Sequence, residues 1–450
     1  MSFKKITLFT FSNYIGLFSA LVQGLFTAKV LSVTDMGSFS QVKIIVSYML
    51  LLNPGVINGL IYKLPLSKKD EGRNYASSAF FFSLFLFFFA FLIFLIIYFK
   101  TNRSEWFFVG LVLLFSSLRE VLAFSLRALQ RFEKLSLLTL FFSVSQAVLI
   151  IGFSIPWKLD GTMWALALSS ILSFVFGLFL LKDTIRFTFS LRSVYELFAG
   201  GWMIYLNGLY GMILSSFERI ALSFAAAKDV FAVYSVGIFF VSIFDMLSSS
   251  VTQYLTPQMV KNGKGYSEEK LVETSQSILY IMIALIFTTL LLMRFFVPLF
   301  LEKYTQSVKI ASILSVTSLF QVYYNMMFSK YLSSKKMYEY FPVQTIGAII
   351  TVAGTLLYFV FGDKRNLVYF SIFILLIRTL YFLVSAVYFK ITLKVKTITQ
   401  FSIVSIIAGT AMFIAVSADN TALFTASIIA FVIYMAIYYR NFILWKEHLR

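Results

Sequence analysis

Nine charged residues of this chain stand where charge is costly: Lys29, Lys43, Arg119, Arg219, Arg294, Arg378, Glu120, Glu218 and Asp245 each lie within or at the margin of a long apolar stretch. A charge near the centre of a bilayer costs at least ~2.5–3.5 kcal/mol on insertion scales, so such a residue reads by default as part of a functional interior site. Arg119, Asp245 and Arg378 fall close to the midpoints of their stretches, where snorkelling to water is hardest. They line a cavity for charged cargo or form buried ion pairs. Glu218 and Arg219 are neighbours that partly neutralise each other. Arg294, shortly before Pro298, can also reach outward, and Lys29 and Lys43 serve equally well as interfacial anchors. A structural ion pair is the plainer reading of Arg119-Glu120. Adjacent helical residues do not face the same way, however, so each needs a further partner.

A weaker polar series, Asn13, Gln23, Asn53, Asn58, Asn207, Gln321, Asn325 and Gln344, also falls within apolar stretches. Hydrogen bonding between helices accounts for most such residues.

The elements that must position these side chains are fourteen apolar segments. The run Phe80–Phe99 carries no charge, and at about 1.5 Å per residue it crosses a ~30 Å hydrocarbon core. The others are bracketed at 6–30, 39–62, 106–128, 135–157, 161–181, 197–224, 230–256, 275–301, 307–331, 340–361, 366–389, 398–416 and 421–439. Lipid leaves only helices or closed barrels to satisfy the backbone, and segments of this length predict a polytopic α-helical membrane protein. Composition agrees, with 60% hydrophobic residues, 54 Phe and only 13% charged residues, and a mean hydropathy of +0.86.

Several chemistries are excluded. With no cysteine there is no disulfide, thiolate metal site or thiol catalysis. The single histidine, His448, sits in the C-terminal tail and reads as solvated. There is no phosphate-binding GxxxxGK[ST] loop and no HExxH metal motif, so neither an intrinsic ATPase nor a metalloenzyme is expected. The net charge of +18 is spread along the chain rather than gathered on one face, which argues against a nucleic-acid partner. The chain reads as a non-enzyme without a cofactor. Lys4 and Lys5 precede an apolar stretch too long for a signal peptide, so it reads as an uncleaved first helix.

Charge also orients the segments. With both termini in the cytoplasm, 24 of the 38 Lys and Arg fall in cytoplasmic loops, in clusters such as Lys63, Lys68, Lys69 and Arg73, or Arg127, Arg131 and Lys134. The opposite loops hold eight: Lys100, Arg103, Lys158, Lys228, Lys303, Lys309, Lys364 and Arg365. That asymmetry is a positive-inside signal, with attraction to anionic lipid as a secondary effect.

An internal repeat is visible. Tyr14-Ile-Gly-Leu-Phe18, Asp35, Phe39-Ser40 and Leu64-Pro65 recur as Leu206-Asn-Gly-Leu-Tyr210, Asp229, Tyr234-Ser235 and Thr256-Pro257, in the same order and at a nearly constant offset. The expected domains are a six-helix lobe at 1–181, a cytoplasmic amphipathic linker at 182–196, a second six-helix lobe at 197–390, and two added helices with a tail at 391–450. A parallel repeat of this kind places a binding cavity between the lobes.

One stretch carries a family likeness. Ser216-Phe-Glu218-Arg219-Ile220, the turn Ala227-Lys-Asp229 and Tyr234-Ser-Val-Gly237 resemble the corresponding helix pair of Wzx-type polysaccharide or O-antigen flippases, in the multidrug/oligosaccharidyl-lipid/polysaccharide exporter superfamily. The first-half echo Leu31–Ser40 is similar to that family's first inter-helix turn. Phe231 departs from it, standing where a Gly is usual. The resemblance implies translocation of an undecaprenyl-pyrophosphate-linked glycan across the bacterial inner membrane by ion-coupled alternating access, alongside polysaccharide polymerase machinery. It implies that Arg119, Arg219, Arg294, Arg378 and Lys43 line a cationic cavity, and that Glu218, Asp245 and Glu120 are ion-coupling sites. The alternatives are a multidrug or cation antiporter, a peptidoglycan-precursor flippase, and a membrane glycosyltransferase or polymerase.

Overall fold

Helices follow one another along the chain, with no strand among the described residues. The computed structural model describes residues 3–182, 184–185, 188–262, 268–333, 337–363, 365–393, 409–410, 413 and 422–434. In the first half these are α1 (Phe3–Val30), α2 (Val33–Met49), α3 (Val56–Lys63), α4 (Lys69–Thr101), α5 (Ser104–Ala128) and α6 (Phe132–Leu180). The second half contributes α7 (Leu191–Ala225), α8 (Lys228–Asn262), α9 (Glu268–Phe300), α10 (Gln306–Leu314), α11 (Val316–Ser333), α12 (Phe341–Phe361) and α13 (Leu367–Leu393). A further apolar helix, α14, covers Ala422–Tyr434.

Among the described residues, seven helices are long and apolar enough to cross a membrane, and the bent pair α2–α3 makes an eighth candidate. On α4, Phe85, Phe88, Phe89, Ile93, Ile96 and Phe99 all point outward. A surface of that kind is stable against lipid and not against water. The protein is an all-α, multi-pass membrane protein.

The helix α6 holds two crossings rather than one. A Cβ on Gly161 would lie 2.0 Å from the Phe153 carbonyl oxygen, whereas residues eight apart in a straight helix are ~12 Å apart. The Phe141 and Phe176 rings meet at 4.6 Å between centroids, and the Lys134 ammonium donates to the Leu180 carbonyl at 2.9 Å. The chain therefore doubles back, and its arms match the expected segments 135–157 and 161–181. The reversal is at Lys158, with φ 46° and ψ −120°, the backbone of the first central residue of a type II′ turn, a position that favours glycine.

Segment 39–62, expected as a single span, is broken. Helices α2 and α3 meet at 58° around Asn53-Pro54-Gly55. Pro54 has no N–H to continue a helix, and Gly55 has φ 82°, which a side chain would strain. Asn53 donates from Nδ2 to Ser83 Oγ on α4 at 2.7 Å. The bend lays α3 on α7 with almost nothing between the backbones: a Cβ on Gly201 would sit 1.9 Å from Gly55 O, and one on Gly59 2.0 Å from Leu197 O. Segment 307–331 is likewise interrupted, at Ser315 between α10 and α11.

The chain divides into two compact units, Met1–Ser215 and Ser216–Arg450. The first part of α7 thus belongs with unit 1. Residues 191–196, expected in a surface linker, form the start of α7. Expected segment 398–416, apart from 409–410 and 413, and the whole chain beyond Tyr434, His448 included, lie outside the described residues.

Candidate functional site

In unit 2, three helices converge on one arginine. Arg378 of α13 donates from Nη2 to Glu218 Oε1 of α7 at 2.7 Å and from Nη1 to Thr317 Oγ1 of α11 at 2.9 Å. Thr317 in turn donates to the Leu314 carbonyl at 2.7 Å, which orients its oxygen toward the guanidinium. The next residue, Ser318, donates to Asp245 Oδ1 of α8 at 2.6 Å. Asp245 lies within electrostatic reach of Arg378, Arg219 and Glu218. The Glu218 side chain is 0% exposed and that of Arg378 12%, so this is a dry ion pair. Its partners are matched in charge, two arginines to two carboxylates.

That pairing leaves some polar atoms over. Glu218 Oε2, Arg219 Nε and the Tyr234 hydroxyl are buried without a hydrogen bond. Tyr234 feels the charge of Glu218, and its ring lies 5.3 Å from that of Phe370. A buried carboxylate with a spare oxygen beside a hydroxyl is an arrangement in which a proton or a small cation could be held.

In unit 1 the arrangement differs. The Arg119 guanidinium of α5 lies 3.8 Å from the centre of the Phe142 ring on α6, and its buried Nε makes no hydrogen bond. Glu120 is within electrostatic reach of both Arg119 and Arg127. Arg127, which the sequence reading gave to a loop, is in the last turn of α5, 5.0 Å from the centre of the Phe124 ring. A cation stacked on a ring keeps its in-plane donors for a further ligand, as one locked to a carboxylate does not.

The remaining expected site residues stand apart from these clusters. Arg294 on α9 lies over the Phe424 ring of α14 at 4.1 Å. Lys43 is exposed on α2, 5.4 Å from the centre of the Phe39 ring, and Lys29 is exposed in the last turn of α1. Sequence reasoning missed Thr317, Ser318, Tyr234 and Phe142. The first two had a signal: Ser307, Ser312, Ser315, Thr317 and Ser318 are all buried small hydroxyls in one apolar segment. Among the described residues no group of acidic or histidine side chains is placed to hold a metal.

No protein-family model matches the chain, and no curated protein matches it in sequence. Solved structures do match its fold. The lipid II flippase MurJ, in its inward closed conformation, is similar over 97% of this chain and 100% of its own, with a TM-score of 0.69 and 16% identity. An inward-facing multidrug-resistance MATE-family transporter of the MOP superfamily is similar over 88% of this chain and 95% of its own, at a TM-score of 0.65 and 12% identity. The MATE transporter VcmN of Vibrio cholerae matches over 88% and 99%, at 0.56 and 13%. The chain shares its fold with this lipid II flippase and with these MATE transporters.

Proposed function

We propose that this chain is a flippase that carries an undecaprenyl-pyrophosphate-linked oligosaccharide, an O-antigen or capsule or exopolysaccharide repeat unit, across the bacterial inner membrane by ion-coupled alternating access. The fold supports a transporter. The observation that carries the cargo is Arg119: a buried guanidinium stacked on the Phe142 ring suits an anionic diphosphate, which accepts bidentate hydrogen bonds from arginine. Arg219, Arg294, Arg378 and Lys43 are proposed as further cargo-binding residues, each within its own unit, with Glu218, Asp245 and Glu120 as the proposed coupling carboxylates.

The test is Arg119→Ala beside Arg119→Lys in a strain that needs this chain for surface glycan. A charge-assisted hydrogen bond is worth ~1.5–3 kcal/mol, so Arg119→Ala lowers export roughly 10- to 150-fold while the protein is still made. Normal glycan export from Arg119→Ala sinks the assignment.

A second reading, a peptidoglycan-precursor flippase, is favoured by the end-to-end likeness to the lipid II flippase. It predicts lysis on depletion rather than loss of surface glycan. A multidrug antiporter would carry dyes, and a dye-efflux assay tests it. The interior excess of basic over acidic residues speaks against that cargo.

A further inference from the structure

A second basic site lies outside both interior clusters, at the end of unit 1 where the loops 63–73 and 127–134 gather beside Thr184. A cavity of about 400 Å³ opens there, lined by Leu64, Ser67, Lys68, Gly72, Arg73, Leu129, Arg131 and Thr184. Its size is within the ~300–1,000 Å³ of small-ligand pockets. Three of its side chains are cations, two are hydroxyls and none is acidic. Among the described residues, Asp70 meets Arg73 at 3.4 Å and is itself 82% exposed.

The backbone builds the site from three separate loops. Leu64–Leu66 form a tight 3-10 turn, and Ser67, extended, ties its hydroxyl to the Leu64 carbonyl at 2.9 Å. Lys68 caps α4 without a side-chain hydrogen bond, so the positive end of that helix faces the cavity. Gly72 leaves room there, since a Cβ would come within 2.8 Å of Ser67 Oγ. Opposite, Gln130 takes the left-handed conformation with φ 54°, and the Arg131 amide closes on the Leu126 carbonyl at 2.9 Å. That turn fixes where Arg131 leaves the backbone. Thr184, nearly buried at 6% exposure, is held by a turn onto Leu181 at 2.8 Å.

We propose that this cavity binds a phosphate ester at the membrane surface. The apolar wall of Leu64 and Leu129 beside cations suits an amphiphile better than a bare ion. The uncharged run of α4 begins directly after Arg73, which sets the cavity at headgroup level. The phosphate can come from an anionic phospholipid headgroup or from a soluble phosphate compound, and the same chemistry recognises either. The site is independent of the cargo proposed above, and the assay reads lipid and not glycan.

The experiment uses the purified full chain in nanodiscs of phosphatidylglycerol diluted into phosphatidylcholine, with retained lipid counted by native mass spectrometry. The variant Lys68→Gln/Arg73→Gln/Arg131→Gln is set beside Lys100→Gln/Arg103→Gln/Lys158→Gln, which removes equal charge at the far ends of α4 and α6. Since each basic residue near an anionic surface contributes roughly fivefold, the first variant loses on the order of 100-fold in retained phosphatidylglycerol and the second keeps it. Arg131→Lys, which keeps the charge, retains binding and shows that the turn still folds. Competition by inorganic pyrophosphate at micromolar concentration assigns the site to soluble phosphates; its absence assigns it to the lipid. Equal retention by the two triple variants, with no pyrophosphate bound by the unaltered chain, overturns the proposal.

Discussion

At Arg378 a guanidinium is clasped by a carboxylate and a hydroxyl, while at Arg119 it rests on the face of a ring. The two substitutions to alanine therefore ask different questions. Removing Arg378 leaves Glu218 as an uncompensated buried charge, a loss of about 3–5 kcal/mol. Arg378→Leu is expected to melt well below the unaltered chain in detergent, and Arg378→Leu/Glu218→Leu to recover most of that loss. Equal melting of single and double variants would refute a closed pair. Surface glycan lost in Arg378→Ala thus reports stability as well as transport, which is why Arg119 is the cleaner probe. The sequence singled out both arginines from their depth alone. It could not distinguish their partners, because Glu218 and Phe142 lie on other helices, and which helix faces an arginine is set by packing.

One contact between elements is made by the absence of side chains. Where α3 lies on α7, Gly55, Gly59 and Gly201 let backbones meet at distances no Cβ permits. Overpacking a tight contact costs typically 1–3 kcal/mol. Gly201→Leu is expected to exceed that range and to lower the melting temperature, with Gly208→Leu, where nothing lies within 4 Å, close to neutral. At the tip of α6 the opposite holds: Lys158 has φ 46°, a conformation costing about 1–3 kcal/mol for a residue with a side chain. Lys158→Gly is expected to raise the melting temperature, and a fall would show that the turn is not strained. The apolar periods disclosed the helices well. The break at Asn53-Pro54-Gly55 carries a turn signal in the sequence, outweighed by the apolar residues on either side, and the one at Ser315 carries no Pro or Gly to mark it.

For the molecule as a whole, the absence of cysteine makes orientation directly measurable. A single cysteine at Lys100 or Arg103 is expected to react with a membrane-impermeant maleimide in whole cells. One at Lys68 or Lys134 should react only after permeabilisation. The reverse pattern would invert the positive-inside assignment and would move the basic cavity of unit 1 to the outer surface.

By itself the sequence determined that the chain must span lipid many times, since residues so apolar and so long have no other way to satisfy their backbones. It also located nearly every span and every charge within one, both being properties of contiguous residues. Only the tertiary structure decided which charges meet. The bends, the reversal at Lys158 and the glycine contacts set helices side by side, and a buried charge is spent or left available according to the neighbour it finds there.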